Sequence, residues 1–214
     1  MRFCKTTPGY SSKMLELHEI VEDFALAFKA VDDSAPRGRS KTREYQAGIG
    51  PLTENEAVAR ATNWLKQTKP DDYMQAGPKA YLGSRQICDL VMPGQWAIEC
   101  KLIRPFGDNG IEAEHWSENI LHPYAGNSSS IGDAMKLVAS GFSERKGLLV
   151  FGYEHNPAHL HLEVAVRSFE VICKDVLNIR LGNRSLAEFS GLIHPHHQNG
   201  KVFGWEVAEF KGQP

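Results

Sequence analysis

Long apolar runs are missing from this chain. None approaches the roughly 20 residues that a membrane-spanning helix needs, so no membrane partner is expected. Cysteine is scarce: the four thiols stand at positions 4, 88, 100 and 173. No C-x-x-C spacing occurs among them, which argues against a zinc ribbon. Cys88 and Cys100 sit in apolar runs and read as small buried hydrophobes. Reduced thiols fit a cytosolic compartment, and no apolar signal region lies behind Met1-Arg2-Phe3-Cys4-Lys5, so a cytoplasmic protein is expected. An excess of one charge is also lacking. Lys and Arg number 24 against 26 Asp and Glu, a formal net charge of −2, which is not the field of an avid nucleic-acid binder. A local positive patch, or carboxylates offset by metal, would still be compatible with one. Nucleotide loops of the G-x-G-x-x-G or G-x-x-x-x-G-K-[ST] type and the G-x-S-x-G elbow are absent, as are internal repeats and low-complexity tracts.

What is present is the composition of a globular protein: 214 residues, 42% hydrophobic and 23% charged, enough to bury a sizeable core. A single domain over 1–214 is expected, with 1–52 forming an N-terminal helical extension and a basic arm. Leu17, Ile20, Val21, Phe24, Phe28 and Val31 recur at helical spacing and predict a helix from Ser11 to about Val31. Arg37-Gly38-Arg39-Ser40-Lys41-Thr42-Arg43 is the most basic stretch; it reads equally as an arm contacting phosphates and as a solvated loop. Thr53-Glu54-Asn55-Glu56 is a capping box opening a second helix, whose apolar face is Val58, Ala61, Trp64 and Leu65. Lys69-Pro70-Asp71-Asp72 reads as a loop, and 79–82 as a short strand. Residues 104–129 form a long mixed connection with Trp116 and Tyr124, suited to covering a site or entering a DNA groove. A helix from Ile131 to Ser140 follows, then a strand over 147–153 that is apolar on both faces. Beyond it the pattern predicts a strand over 160–166, a helix over 168–179, and a terminal hairpin over 191–210 turning at Asn199-Gly200.

The most informative stretch runs Cys88-Asp89-Leu90-Val91-Met92-Pro93-Gly94-Gln95-Trp96-Ala97-Ile98-Glu99-Cys100-Lys101-Leu102. Pro93-Gly94 is a turn signal between two apolar runs of strand length. Alternation puts Glu99 and Lys101 on one face and Ile98, Cys100 and Leu102 on the other, and a hairpin brings Asp89 near Glu99. Hard carboxylate oxygens suit Mg²⁺, which polarises a phosphoryl oxygen and lowers the pKa of a bound water. Lys101 has several roles open to it: orienting that water, stabilising charge on phosphate, or acting as a base if an apolar wall depresses its pKa. The plain alternative is an edge hairpin with a solvated Glu–Lys pair, worth little energetically.

Asp89 followed by Glu99-Cys100-Lys101 resembles the signature of the PD-(D/E)XK nuclease superfamily, with Cys88 where the family carries proline. In element order the resemblance spans 53–153. It implies an α/β fold of restriction-endonuclease-like type, a mixed central β-sheet flanked by α-helices. It implies a metal-dependent nuclease hydrolysing DNA phosphodiester bonds. Asp89 and Glu99 would hold Mg²⁺, with Mn²⁺ able to substitute; the Cys100 carbonyl would complete the shell, and Lys101 would be the catalytic lysine. Members often add an acid from the preceding helix. Glu54, on the packing face, is preferred there to Glu56, which reads as a cap, and Glu54 would join Asp89 and Glu99 as a metal ligand. Lys136 is the candidate polar residue on the following helix, against its plainer reading as a surface lysine. Double-stranded DNA is the implied partner. A type II restriction endonuclease, often a homodimer, is the suggested context, and a repair or recombination nuclease uses the same core.

Two readings of other classes stand beside this one. The first is a non-catalytic nucleic-acid-binding protein. The second is a histidine-metal protein, because nine histidines are present. His155, His159 and His161 form one group, with His159 and His161 on one strand face, and His194, His196 and His197 form another. Either could serve zinc or another transition metal, although no H-E-x-x-H helix exists and exposed loop histidines are the plainer reading.

Overall fold

The computed structural model describes residues 14–37, 44–122 and 129–209. In chain order the elements are α1 (Leu17–Ser34), α2 (Glu54–Thr68), α3 (Pro70–Tyr73), β1 (Gly77–Ala80), β2 (Ile87–Met92) and β3 (Trp96–Ile103). They continue with α4 (Glu118–Leu121), α5 (Ser130–Ala139), β4 (Arg145–Glu154), α6 (Glu163–Val171), β5 (Ile179–Leu181), β6 (Ser185–Ser190) and β7 (Asn199–Glu209). The fold is mixed α/β, built on one seven-stranded sheet in the order β1-β2-β3-β4-β7-β5, with β6 also on β7. Only β3 and β4 run parallel; the other pairs are antiparallel. No helix among the described residues is long and apolar enough to cross a membrane.

Helices cover both faces of the sheet, so its central strands are apolar on both sides. Leu90, Ile98, Leu149 and Phe151 share one core with Ile20, Phe24 and Phe28 of α1 and Ala61 and Leu65 of α2. Val91, Ala97, Leu148 and Val150 share the other with Ile131, Ala134 and Leu137 of α5 and Phe169 of α6. The α1 helix, expected as part of an extension, therefore lies in the same core as the sheet. The α2 helix begins as its capping box dictates: Thr53 Oγ1 accepts the Glu56 N–H at 3.3 Å, and Glu56 Oε2 accepts the Thr53 N–H at 3.0 Å.

Three expected elements differ. Residues 160–166 alternate apolar and polar, yet α6 forms there, because Leu162, Ala165, Val166 and Phe169 at helical spacing are the buried set while Val164 is exposed. The helix runs on through a π-helical turn over Ile172–Val176 and gives way to β5, so it starts and ends earlier than expected. Asn199-Gly200 does not turn. It opens β7, and Gly200 is needed because a Cβ there would lie 2.1 Å from the Phe189 ring of β6. Pro70-Asp71-Asp72 is the first turn of α3 rather than a loop, with Pro70 at its start, where a missing N–H costs nothing.

The α1 helix rests directly on β7 at Gly204, where an added Cβ would meet Val21 Cγ2 at 2.4 Å. Overpacking of this kind costs about 1–3 kcal/mol. Gly204→Ala is expected to lower unfolding free energy by that amount in urea titrations, with the slope unchanged.

Candidate active site

The pairing of β2 with β3 runs through Met92↔Trp96, Val91↔Ala97 and Leu90↔Ile98 and then stops. One step further, Asp89 stands opposite Glu99, but the strands have parted. The opposite edge of β3 stays paired with β4 from Trp96 to Ile103. On the opened edge the N–H groups of Cys100 and Leu102 lack a strand partner, and carboxylates take them. Asp89 Oδ2 accepts from Cys100 N at 2.8 Å, and Glu54 Oε2 accepts from Leu102 N at 2.7 Å. Within a strand the N–H and C=O of one residue point to the same edge, so the Cys100 carbonyl faces the space beside these two acids.

The side chains of Glu99 and Lys101 lie on the sheet face covered by α5, and both are buried. Lys101 Nζ is 3.2 Å from Glu54 Oε1 and 3.2 Å from Asp133 Oδ2. Lys136 Nζ is 2.7 Å from Glu99 Oε1 and 3.0 Å from Asp133 Oδ1. The Tyr81 hydroxyl donates to Glu99 Oε1, and the Lys136 ammonium stands 5.2 Å from the Tyr81 ring centre. The α5 helix is oriented for this by its start, where Ser129 Oγ accepts the Gly132 N–H at 3.1 Å. Asp133 and Lys136, one turn apart, then face the sheet together.

Burial dominates the electrostatics. It pushes Glu99 up to about 7, helped by its hydrogen bond to Asp89 and by the Asp89 charge. Asp89 is also raised, chiefly by burial. Two carboxyls this close cannot both ionise freely, so the pair shares a proton, which Glu99 holds. Glu54 and Asp133 are raised by burial too, against the opposing pull of Lys101. For Lys101, burial pulls downward, but Asp133 and Glu54 push further upward and the net shift is up. The ammonium therefore stays charged at neutral pH, and its surroundings oppose the depressed-pKa base. The cluster sets four carboxylates against two ammonium groups. Fully ionised, it carries two negative charges too many, which suits a divalent cation bound between Asp89 and Glu99 in place of their shared proton.

No family model, curated protein or solved structure matches this chain. The site is therefore read on its own chemistry.

Asp89, Glu99, Cys100, Lys101 and Glu54 come together at the opened strand edge. Glu56 stays in its cap. Lys136, more simply a surface lysine in the sequence, is tied into the cluster. Sequence reasoning missed Asp133 and Tyr81 as members. The available signal was Asp133 lying beside Ala134 and one turn before Leu137, on a packing face where an acid needs a partner. Residues 38–43 of the basic arm lie outside the described residues. The histidines gather elsewhere. His194 Nδ1 accepts the N–H groups of His196 and His197, both at 3.1 Å, so its proton is on Nε2, which lies 3.1 Å from Asp108 Oδ1. His197 Nε2 donates to the Phe106 carbonyl at 2.8 Å, and His155 packs edge-on to the Phe106 ring. These rings fasten the loop after β3. Burial and the neighbouring His194 push His197 down to about 3, which keeps it neutral. His161 does not share a strand face with His159, because the chain there enters α6. Among the described residues, no group of three or more His, Cys, Asp or Glu side chains is arranged to hold a metal; two carboxylates with a backbone carbonyl form a smaller set than that.

Glu99 keeps its proton to about pH 7 in the folded chain, against 4.5 for an ordinary Glu. The folded state thus binds more protons than the unfolded state across this window, and stability falls as pH rises from about 5 to 8. Glu99→Gln removes that titration. Its melting temperature is expected to fall less than the wild type's between pH 5 and pH 8 in metal-free buffer, by about 2–4 °C for each kcal/mol of repulsion removed.

Proposed function

We propose that this chain is a metal-dependent nuclease of restriction-endonuclease-like fold that hydrolyses DNA phosphodiester bonds with Mg²⁺, or with Mn²⁺ in its place. The observation that carries this reading is the meeting of Asp89, Glu99, the Cys100 backbone and Lys101 where β2 leaves β3. An acid, a following Glu-x-Lys and an opened strand edge supply hard oxygen ligands and a fixed positive charge at one point.

In this mechanism Asp89 and Glu99 would hold the cation through their carboxylates, and the Cys100 carbonyl would offer a third oxygen. When bound, the cation would supply Lewis acidity toward a phosphoryl oxygen and a water. Glu99 must give up its proton before it can hold the cation, so occupancy would rise with pH through about 7. Lys101, held charged between Glu54 and Asp133, orients the attacking water and stabilises charge developing on the phosphate. Tyr81 and Lys136 fix the Glu99 carboxylate in place. Glu54, expected as a further metal ligand, acts instead by positioning in this reading, since its two oxygens are already engaged by Lys101 and the Leu102 N–H.

The test is incubation of purified protein with supercoiled, linear and single-stranded DNA, with Mg²⁺, Mn²⁺ or EDTA. Cleavage is expected with either metal, none with EDTA, and a rate that climbs with pH through about 7. Glu99→Ala and Lys101→Ala are each expected to lower the rate at least about 100-fold. Metal-independent cutting, or full activity in Glu99→Ala, would contradict the proposal.

A further inference from the structure

A cleft of ≈ 1110 Å³ opens beside the carboxylate cluster and meets it at Glu54 and Leu102. Its walls carry three aromatic rings, Tyr45, Phe106 and Trp116, and three guanidinium groups, Arg37, Arg60 and Arg104. We infer that this cleft binds single-stranded DNA, with Trp116 as the surface on which a base stacks. The inference rests on the nuclease reading for its direction, because a strand lying in the cleft leads its backbone past Glu54 toward Asp89 and Glu99.

Size is the first argument. Sites that enclose small ligands run to about 300–1,000 Å³. This cleft is of that order, with room for a few nucleotides of one strand. Composition is the second. Aromatic faces beside arginines are the chemistry of sequence-tolerant single-strand binding, where bases stack and the backbone follows positive charge. In a duplex those base faces are already covered.

The state of the lining groups is the third. Trp116 packs partly on the core under α5 and α6 and otherwise faces the cleft. The residue before it, His115, holds a left-handed backbone at φ 59°, uncommon for a non-glycine residue. His115 is flanked by Glu114 and Glu118 at 3.2 and 3.4 Å. Five carboxylates also line the walls: Glu114 and Glu118 lie against His115, Glu56 caps α2, Asp108 meets His194 and Glu54 meets Lys101, so the positive charge of the cleft is local to its arginines. Arg104 donates to the carbonyls of Gly50 and Leu52 and shapes the wall. Arg37 and Arg60 are exposed and present their charge to phosphates.

The experiment measures binding in EDTA, where no hydrolysis occurs. A fluorescein-labelled oligothymidylate of about 12 nucleotides, within the usual single-strand site size, is titrated by anisotropy beside a hairpin duplex of equal length, with tryptophan emission followed in parallel. The single strand is expected to bind at least about tenfold more tightly than the duplex and to quench tryptophan emission. Trp116→Ala should weaken single-strand binding about tenfold. Trp116→Phe should keep most of the binding while the quenching disappears. Arg60→Ala should weaken binding and flatten its salt dependence by slightly less than one in log–log slope. Equal or tighter binding of the duplex would overturn the inference, as would unchanged binding by a Trp116→Ala protein that melts like the wild type. If Trp116→Ala does not fold, the Trp116→Phe quenching and the Arg60→Ala slope decide. A chain that cuts DNA with Mg²⁺ but prefers duplex here overturns the cleft and leaves the nuclease reading standing. A chain that holds the strand through Trp116 and cuts nothing does the reverse.

Discussion

Where β2 leaves β3, the backbone N–H groups of Cys100 and Leu102 lose their strand partner inside the protein. Buried donors of this kind have to be satisfied. Asp89 and Glu54 satisfy them from two different elements. That arrangement holds two half-buried carboxylates at the edge of a central strand, and most of what surrounds them follows. Glu99 and Lys101 are drawn in by alternation along β3, and α5 supplies Asp133 and Lys136 to match them. Tyr81, just past the end of β1, closes the set with its hydroxyl. The sheet, both helical layers and the long connection after β3 all meet at this parting of two strands.

The cluster costs stability. Two buried acids, Glu99 and Asp133, and two half-buried ones, Asp89 and Glu54, set against two ammonium partners leave negative charge in a region of low polarity, and removing one member of such a network generally costs more than the network contributes. A shared proton between Asp89 and Glu99 relieves part of the repulsion at low pH. In the proposed reading a divalent cation would give that relief at higher pH, which would couple metal binding to the titration of Glu99. A site stressed without its ligand is what functional carboxylates commonly look like. The charge on Lys101 has the same origin: the acids that bracket it keep it protonated despite burial, which favours an electrostatic and positioning role over that of a base.

Much of the fold was legible because periodicity and capping are local. The α1 stripe, the Thr53 capping box, the Pro93-Gly94 hairpin and the doubly covered β4 all follow from short-range pattern. Glu54 was legible because an acid on an apolar helix face needs a reason. The misreadings came where long-range packing won over a local signal. Leu160 to Val166 alternates like a strand, yet burial against the sheet selects Leu162, Ala165, Val166 and Phe169. Asn199-Gly200 has the residues of a tight turn, yet the Phe189 ring needs Gly200 as a flat contact within β7. Tyr81 was invisible as a site member because it reaches the cluster only through tertiary placement, while Asp133 showed only as an acid on a packing face. The histidines suggested a metal by their number and their two groups along the chain; the rings of His194 and His197 meet Asp108 and the Phe106 carbonyl, and with them one wall of the cleft.

The most direct measurement is a crystal grown at millimolar Mn²⁺ and a pH above about 7, where Glu99 is ionised, with anomalous scattering used to locate the metal. The expected result is a peak between the Asp89 and Glu99 carboxylates, with the Cys100 carbonyl in its shell and ligand distances of about 2.0–2.2 Å. Asp89 and Glu99 still sharing a proton with no metal between them, or a peak among His155, His194 and His196 instead, would contradict the reading of this cluster as a metal-dependent hydrolytic site.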